Sequence, residues 1–224
     1  MNYLVVVAHP DDEVLGAGAS IHKLIQQGNE VSVAIMVGSV EARTYISDSL
    51  SQDIQNAMDV LGVKKIYKTD FPNIKMNVIP HLDLVQFIER CIVESQAEII
   101  ITHHPSDTNN DHSLTSYACQ AAARLFQRRT DVSALKELWY MEVPSSTEWS
   151  VDTSSQRFQP NMAVEVGKEG IETKIKALQA YKGVMRPYPH PRSSESIMGL
   201  AAFRGSQFGC RYAESFECVF RRII

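Results

Sequence analysis

The chain has 224 residues, 44% of them hydrophobic and 21% charged, with a net charge of −4. That length suits one α/β domain spanning residues 1–224, with helices on both faces of a sheet, and the acidic balance lacks the basic stripe of a nucleic-acid binder. The longest apolar run, residues 3–8, is far shorter than the ~20 residues of a membrane-spanning helix, so no membrane span is expected.

Residues 3–8 (YLVVVA) form a β-branched, wholly apolar run, as expected of a first strand buried on both faces. With no basic n-region or cleavage site, this start reads as a strand and not as a signal peptide. Helical spacing of Val14, Ala17, Ile21, Leu24 and Ile25 predicts a helix over 14–27, stopped by Gly28. A second strand follows over 31–37, a helix over 50–61 ended by Gly62, and a weaker strand over 65–67. Pro80 opens a third helix over 81–94, then a fourth strand over 98–102. A polar loop leads to a fourth helix with Leu114, Ala118, Ala121, Ala122 and Leu125 on one face. This alternation calls for a parallel sheet with right-handed crossovers, a Rossmann-like doubly wound α/β fold.

Beyond residue 130 the pattern loosens. Strands are expected over 138–143, 162–166 and 212–222, and helices over 168–182 and 195–208, with a polar loop at 144–160. The four cysteines (Cys91, Cys119, Cys210, Cys218) are dispersed and form no C-x-x-C pair; Cys91 and Cys119, in helical patterns, are expected to be buried free thiols, and a reducing, cytoplasmic location is expected.

In a doubly wound sheet of order 3-2-1-4-5, ligands bind beyond the carboxyl ends of strands one and four. The two most unusual segments follow those strands: His9-Pro10-Asp11-Asp12-Glu13, and the stretch from His103 to His112 (HHPSDTNNDH). Their His and Asp side chains are expected to converge. Imidazole and carboxylate together suit a borderline divalent ion, which polarises a carbonyl and acidifies bound water. An unligated carboxylate nearby can take the water's second proton. Two adjacent Asp residues in a tight turn divide these roles, although spacing alone does not say how. Helix capping by Asp12 or Asp111 accounts for either loop taken singly, but not for both at the switch point.

Residues 5–18 (VVVAHPDDEVLGAG) resemble the opening signature of the PIG-L/LmbE-like deacetylases, and residues 104–112 (HPSDTNNDH) their second metal motif. The stretches His190-Pro191-Arg192-Ser193, Arg204-Gly205 and Tyr212 to Phe216 look like the family's tail. The resemblance implies that His9, Asp12 and His112 are metal ligands and Asp11 the base. It further implies that the ion is zinc, with Fe2+ or Mn2+ as alternatives, and that the substrate is a small N-acetylated amino sugar or its conjugate. Two departures stand out. Asn109 occupies a position where some members carry an oxyanion-stabilising His, so it can donate a hydrogen bond but not a proton. The second helix lacks the family's sugar-binding Arg, for which Arg43 is a stand-in. His190, in a Pro-rich loop, is a candidate acid, and His104 and Asp111 are candidates for substrate contact or ligand orientation.

The glycines at 16 and 18 lie inside the predicted helix, and two carboxylates fill the turn where a pyrophosphate would sit, so no dinucleotide site is expected. They are instead expected to allow close helix packing. No G-x-S-x-G elbow is present. The rival readings are a metal hydrolase of another small N-acyl metabolite and a non-catalytic sugar- or metal-binding module. The sequence is silent on oligomeric state, and a homo-oligomer is compatible with it.

Overall fold

The computed structural model describes residues 1–37, 50–151 and 156–223. Five strands, β1 (Asn2–Val7), β2 (Glu30–Ile35), β3 (Lys65–Lys68), β4 (Ile99–His103) and β5 (Glu137–Met141), lie parallel in the order β3-β2-β1-β4-β5. β7 (Ala213–Arg221) joins β5 antiparallel, and β6 (Met162–Glu165) pairs antiparallel with β7 at the edge. The sheet is therefore mixed but mostly parallel. The 3-2-1-4-5 order expected of a doubly wound sheet is present; the insertion of β7 between β5 and β6 is not something the alternation of elements predicts.

The α-helices of the described residues are α1 (Asp12–Gln26), α2 (Leu50–Leu61), α3 (His81–Ser95), α4 (Asn110–Ala122), α5 (Gly167–Ala180) and α6 (Ser194–Gln207). Residues of a strand alternate between faces, and β1 divides accordingly. Tyr3, Val5 and Val7 pack into a core with α1, α2 and α5, whereas Leu4 and Val6 face the core made with α3 and α4. Both faces are covered, so β1 carries no polar alternation.

Close packing of α1 on the sheet depends on Gly16. A Cβ there would stand 2.4 Å from the Sδ of Met141 on β5, so any side chain would push the helix off. This matches the expected packing role. Gly28 and Gly62 take φ of 80° and 86° after α1 and α2, a conformation that side chains disfavour.

Several boundaries shift by one to three residues. α1 begins at Asp12, two residues before the apolar periodicity starts, because the carboxylate turn itself forms the helix entrance. Val37 lies outside β2, in an isolated bridge to Asp70. α4 ends at Ala122, and Leu125 belongs to a separate short 3-10 turn, Leu125–Gln127. All four cysteines are free, with Cys91 and Cys119 buried. Among the described residues, no helix is long and apolar enough to cross a membrane.

Candidate metal centre

β1 and β4 are neighbours, and the chain leaves both at the same edge of the sheet. The loop after β1 runs into α1 and the loop after β4 into α4, which brings His9, Asp12 and His112 together in the crevice between them. All three are buried. His9 Nδ1 lies 3.2 Å from Asp12 Oδ2 and 3.2 Å from His112 Nε2, and the latter two atoms are 3.1 Å apart. The three donor atoms thus form a nearly equilateral triangle. Donors around a tetrahedral zinc at about 2.0–2.1 Å are about 3.3–3.4 Å from one another, so the set fits such an ion.

The outer nitrogens of both imidazoles are held by carboxylates. His9 Nε2 faces Asp111 Oδ2 at 3.1 Å, and His112 Nδ1 faces Asp107 Oδ2 at 3.2 Å. An ionised carboxylate only accepts, so each outer nitrogen carries the proton and each inner nitrogen presents a lone pair. Two lone pairs and a carboxylate oxygen therefore point at one place, an arrangement that a cation relieves. The site as a whole favours positive charge: burial disfavours a charged His112, but Asp12 and Asp107 overcome it and push its pKa up to about 10. Asp12 is held well below the usual carboxylate range, since His112, His9 and His103 outweigh its burial.

Asp107 is braced in turn. Ser146 Oγ donates to its Oδ1 at 2.5 Å and Thr147 Oγ1 to its Oδ2 at 2.6 Å. Its carboxyl sits at about 2, because the hydrogen bond and charge of His112 outweigh burial. Asp111 accepts from the backbone amides of Ile74 (2.6 Å) and Met76 (3.1 Å).

A second group able to hold an ion is His103, Asp107 and His112. There His103 Nε2 already accepts the amide hydrogen of Ala8 at 2.9 Å, and the ring stacks on His112 with centroids 3.9 Å apart. Burial lowers the pKa of His103 to about 3, so the ring is neutral and its proton sits on Nδ1. It therefore offers this group no lone pair, and His112 would have to give up its bond to Asp107. The first triad is the better donor set.

Asp11 stands at the entrance of α1 with φ of 106°. Such a conformation costs on the order of 1–3 kcal/mol in a residue with a side chain and must be held by its surroundings. Its amide donates to Glu13 Oε2 at 3.2 Å, and Tyr181 OH donates to the other Glu13 oxygen at 2.5 Å. Burial raises the pKa of Glu13 to about 8. The carboxylate of Asp11 receives Arg192 Nη1 at 3.2 Å.

The remaining sequence candidates fall elsewhere. Asn109 caps α4, its Oδ1 accepting from Asp111 N at 2.9 Å, which leaves Nδ2 as its donor end. His190 is exposed, and its Nδ1 accepts from Arg192 N at 3.0 Å. The expectation that His104 and Asp111 touch substrate does not fit their positions. His104 is buried, with Nδ1 taken by Ser106 and Nε2 lying 2.9 Å from Glu217, and both oxygens of Asp111 are used inside the protein. Arg43 lies outside the described residues. Arg192, Asp107, Glu13 and Tyr181 were not singled out from sequence. Asp107 lay in full view inside the second motif and Arg192 inside the tail stretch, whereas nothing near Tyr181 marks it as adjoining a site.

A Rossmann-like sheet with a buried His-Asp-His cluster at its switch point, each imidazole backed by a carboxylate, defines an α/β protein with a group able to hold a metal ion. More particularly, the chain belongs to the PIG-L family, described as GlcNAc-PI de-N-acetylase, which matches residues 4–123. It is 26% identical to the uncharacterized deacetylase YaiS of Escherichia coli K12, over 80% of this chain and 89% of that protein. Its fold is similar to that of N,N′-diacetylchitobiose deacetylase from Pyrococcus horikoshii, with a TM-score of 0.76 and 21% identity over 97% of this chain and 83% of that one. It is also similar to GalB, a 4-carboxy-2-hydroxymuconate hydratase from Pseudomonas putida, with a TM-score of 0.80 and 20% identity over 100% and 98% of the two chains. The family is one of deacetylases; likeness at these identities to the solved structures concerns the fold alone.

Proposed function

We propose that this chain is a divalent-metal N-deacetylase acting on an N-acetylated amino sugar or a conjugate of one. The observation that carries the reading is the triangle of His9 Nδ1, Asp12 Oδ2 and His112 Nε2, with both outer imidazole nitrogens on carboxylates. Two nitrogens and one carboxylate oxygen make a donor set for zinc, with Fe2+ or Mn2+ as alternatives. A bound ion of this kind supplies Lewis acidity, polarising the acetyl carbonyl and acidifying water.

The chain's own residues supply the rest. Asp11 takes the proton of the attacking water as its oxygen bonds to the acetyl carbon. The carbonyl π electrons move to oxygen, where the Nδ2 donor of Asn109 stabilises the developing charge. Asp11 then returns the proton to nitrogen as the C–N bond breaks, giving acetate and a free amine. His190 is the alternative proton source, but its exposed ring and its bond to the Arg192 amide favour Asp11 for both transfers.

A GalB-like hydratase also adds water, but to a carbon–carbon double bond, so product analysis separates the two chemistries. The test is acetate release from N-acetylglucosamine and N,N′-diacetylchitobiose by zinc-loaded protein, with Asp11→Asn as control. Acetate from wild type and not from the variant is the expected result. Release from non-sugar N-acyl substrates only would overturn the sugar assignment. No release from any N-acyl substrate would leave a binding module or another water-adding enzyme.

A further inference from the structure

Asp11 is held in a conformation that its own backbone disfavours. What holds its carboxylate comes from far along the chain. Arg192, 181 positions later, places Nη1 3.2 Å from Asp11 Oδ2 and donates through Nε to Ser145 Oγ at 2.8 Å. One planar guanidinium therefore ties the loop after β1 to the turn after β5. A planar fork can hold two acceptors at fixed angles, which an ammonium cannot.

Both ends of the tie are anchored. Arg192 precedes Ser193, which caps α6 by accepting from Ser196 N at 3.0 Å, and the Arg192 amide donates to His190 Nδ1. Ser145 donates its amide to Glu148 Oε1 at 2.7 Å, and the next residue, Ser146, holds Asp107 behind His112. The same short turn therefore braces the imidazole at one wall of the site and, through Arg192, the carboxylate at another. The side chain of Asp11 is 1% exposed and that of Arg192 20%, so the contact is shielded from water and salt far more than a surface pair. Neither Ser145 nor Arg192 lies within residues 4–123, the part of the chain that matches the family.

We propose that Arg192, supported by Ser145, is the positioning residue for Asp11: it fixes the carboxylate against the ligand triad and takes no part in binding the ion. The proposal rests on Asp11 being the base, and its test separates the two readings. The first readout is structural. In a crystal of Arg192→Ala, the Asp11 carboxylate is expected to turn away from its wild-type place while His9, Asp12 and His112 stay put. An unmoved Asp11 would overturn the proposal outright.

The second readout is kinetic, with N,N′-diacetylchitobiose as the probe. Displacing a reacting group by about an ångström costs up to about 10²-fold in rate. Arg192→Ala should lower kcat on that scale with little change in KM and no loss of bound zinc, and Arg192→Lys should recover little of it. Ser145→Ala should show a weaker form of the same pattern. A raised KM with unchanged kcat would overturn the proposal, making Arg192 a substrate contact, and a fall in zinc content matching the loss of rate would do the same. If Asp11 turns in the crystal yet Asp11→Asn is fully active, positioning stands and the base assignment falls.

Discussion

Nε2 of His9 stands 3.1 Å from Oδ2 of Asp111, a carboxylate that the backbone amides of Ile74 and Met76 hold from the far side. This contact fixes the tautomer of His9 and aims its Nδ1 lone pair at Asp12 and His112. Asp111→Ala removes the constraint without touching a ligand. Zinc affinity, measured by competition with a chromophoric chelator, is expected to fall by about 10–100-fold, the usual cost of losing such an outer partner. Asp107→Ala should behave alike through His112. Wild-type affinity in both variants would mean that the carboxylates serve only the fold.

His9→Ala, Asp12→Ala and His112→Ala each remove one corner of the triangle. Each purified variant should contain far less metal than wild type while its circular dichroism is unchanged, because both cores lie around the sheet and away from the ligand atoms. Treatment with a chelator should abolish acetate release by wild type, and added zinc should restore it. Stoichiometric metal in all three variants would place the ion elsewhere.

Much of this centre was legible in the sequence because its parts are contiguous. His9, Asp11 and Asp12 lie in one turn, His112 ends one polar loop, and the alternation of strands and helices predicts that the two loops meet. The supporting residues were harder to see for a physical reason. Arg192 and Tyr181 reach the site only through the packing of the C-terminal third, where β7 enters between β5 and β6, and local periodicity does not encode that order. Asp111 illustrates a different limit. Its place in the motif marks it as important, but only the amides of Ile74 and Met76 reveal that it faces inward.

Asp11→Asn keeps the size of the side chain and removes its basicity. Zinc should remain bound, since Asp11 is not in the triangle, and kcat should fall by about 10²–10⁴-fold, the range of general acid–base catalysis. His190→Ala, by contrast, should leave kcat near the wild-type value, because that ring is exposed and accepts a hydrogen bond from its own loop. A large loss of kcat in His190→Ala would transfer the protonation of the leaving amine from Asp11 to His190.

Cys91 and Cys119 are buried, and burial pushes both thiols up to about 12, whereas Cys210 and Cys218 are half-buried. The thiolate is the reactive form, so the first two are protected twice over, by access and by protonation. In native protein near pH 8, a thiol reagent should label Cys210 and Cys218 and spare Cys91 and Cys119 until denaturant is added. Rapid labelling of all four would contradict the packing of α3 and α4 against the sheet.

α1, and with it the carboxylate turn, is fastened by a buried ion pair. Lys174 on α5 is 5% exposed, and its Nζ donates to Leu15 O at 2.7 Å and to Glu214 Oε1 at 2.6 Å. Glu214 on β7 also accepts from the amides of Ala19 (3.2 Å) and Ser20 (2.7 Å), so one buried ion pair pins the middle of α1 to two other elements. Burying two charges is costly, and the pair is stabilising only while both members are present. Glu214→Ala leaves the Lys174 ammonium uncompensated and is expected to cost about 3–5 kcal/mol in denaturant unfolding. In the double variant Lys174→Met/Glu214→Leu no buried charge remains, so most of that loss should return. The rate should not return with it if the pair also sets the angle at which α1 presents Asp11 and Asp12. Recovery of stability with kcat still depressed would separate anchoring from simple packing, and recovery of both would show that any well-filled core suffices at this junction.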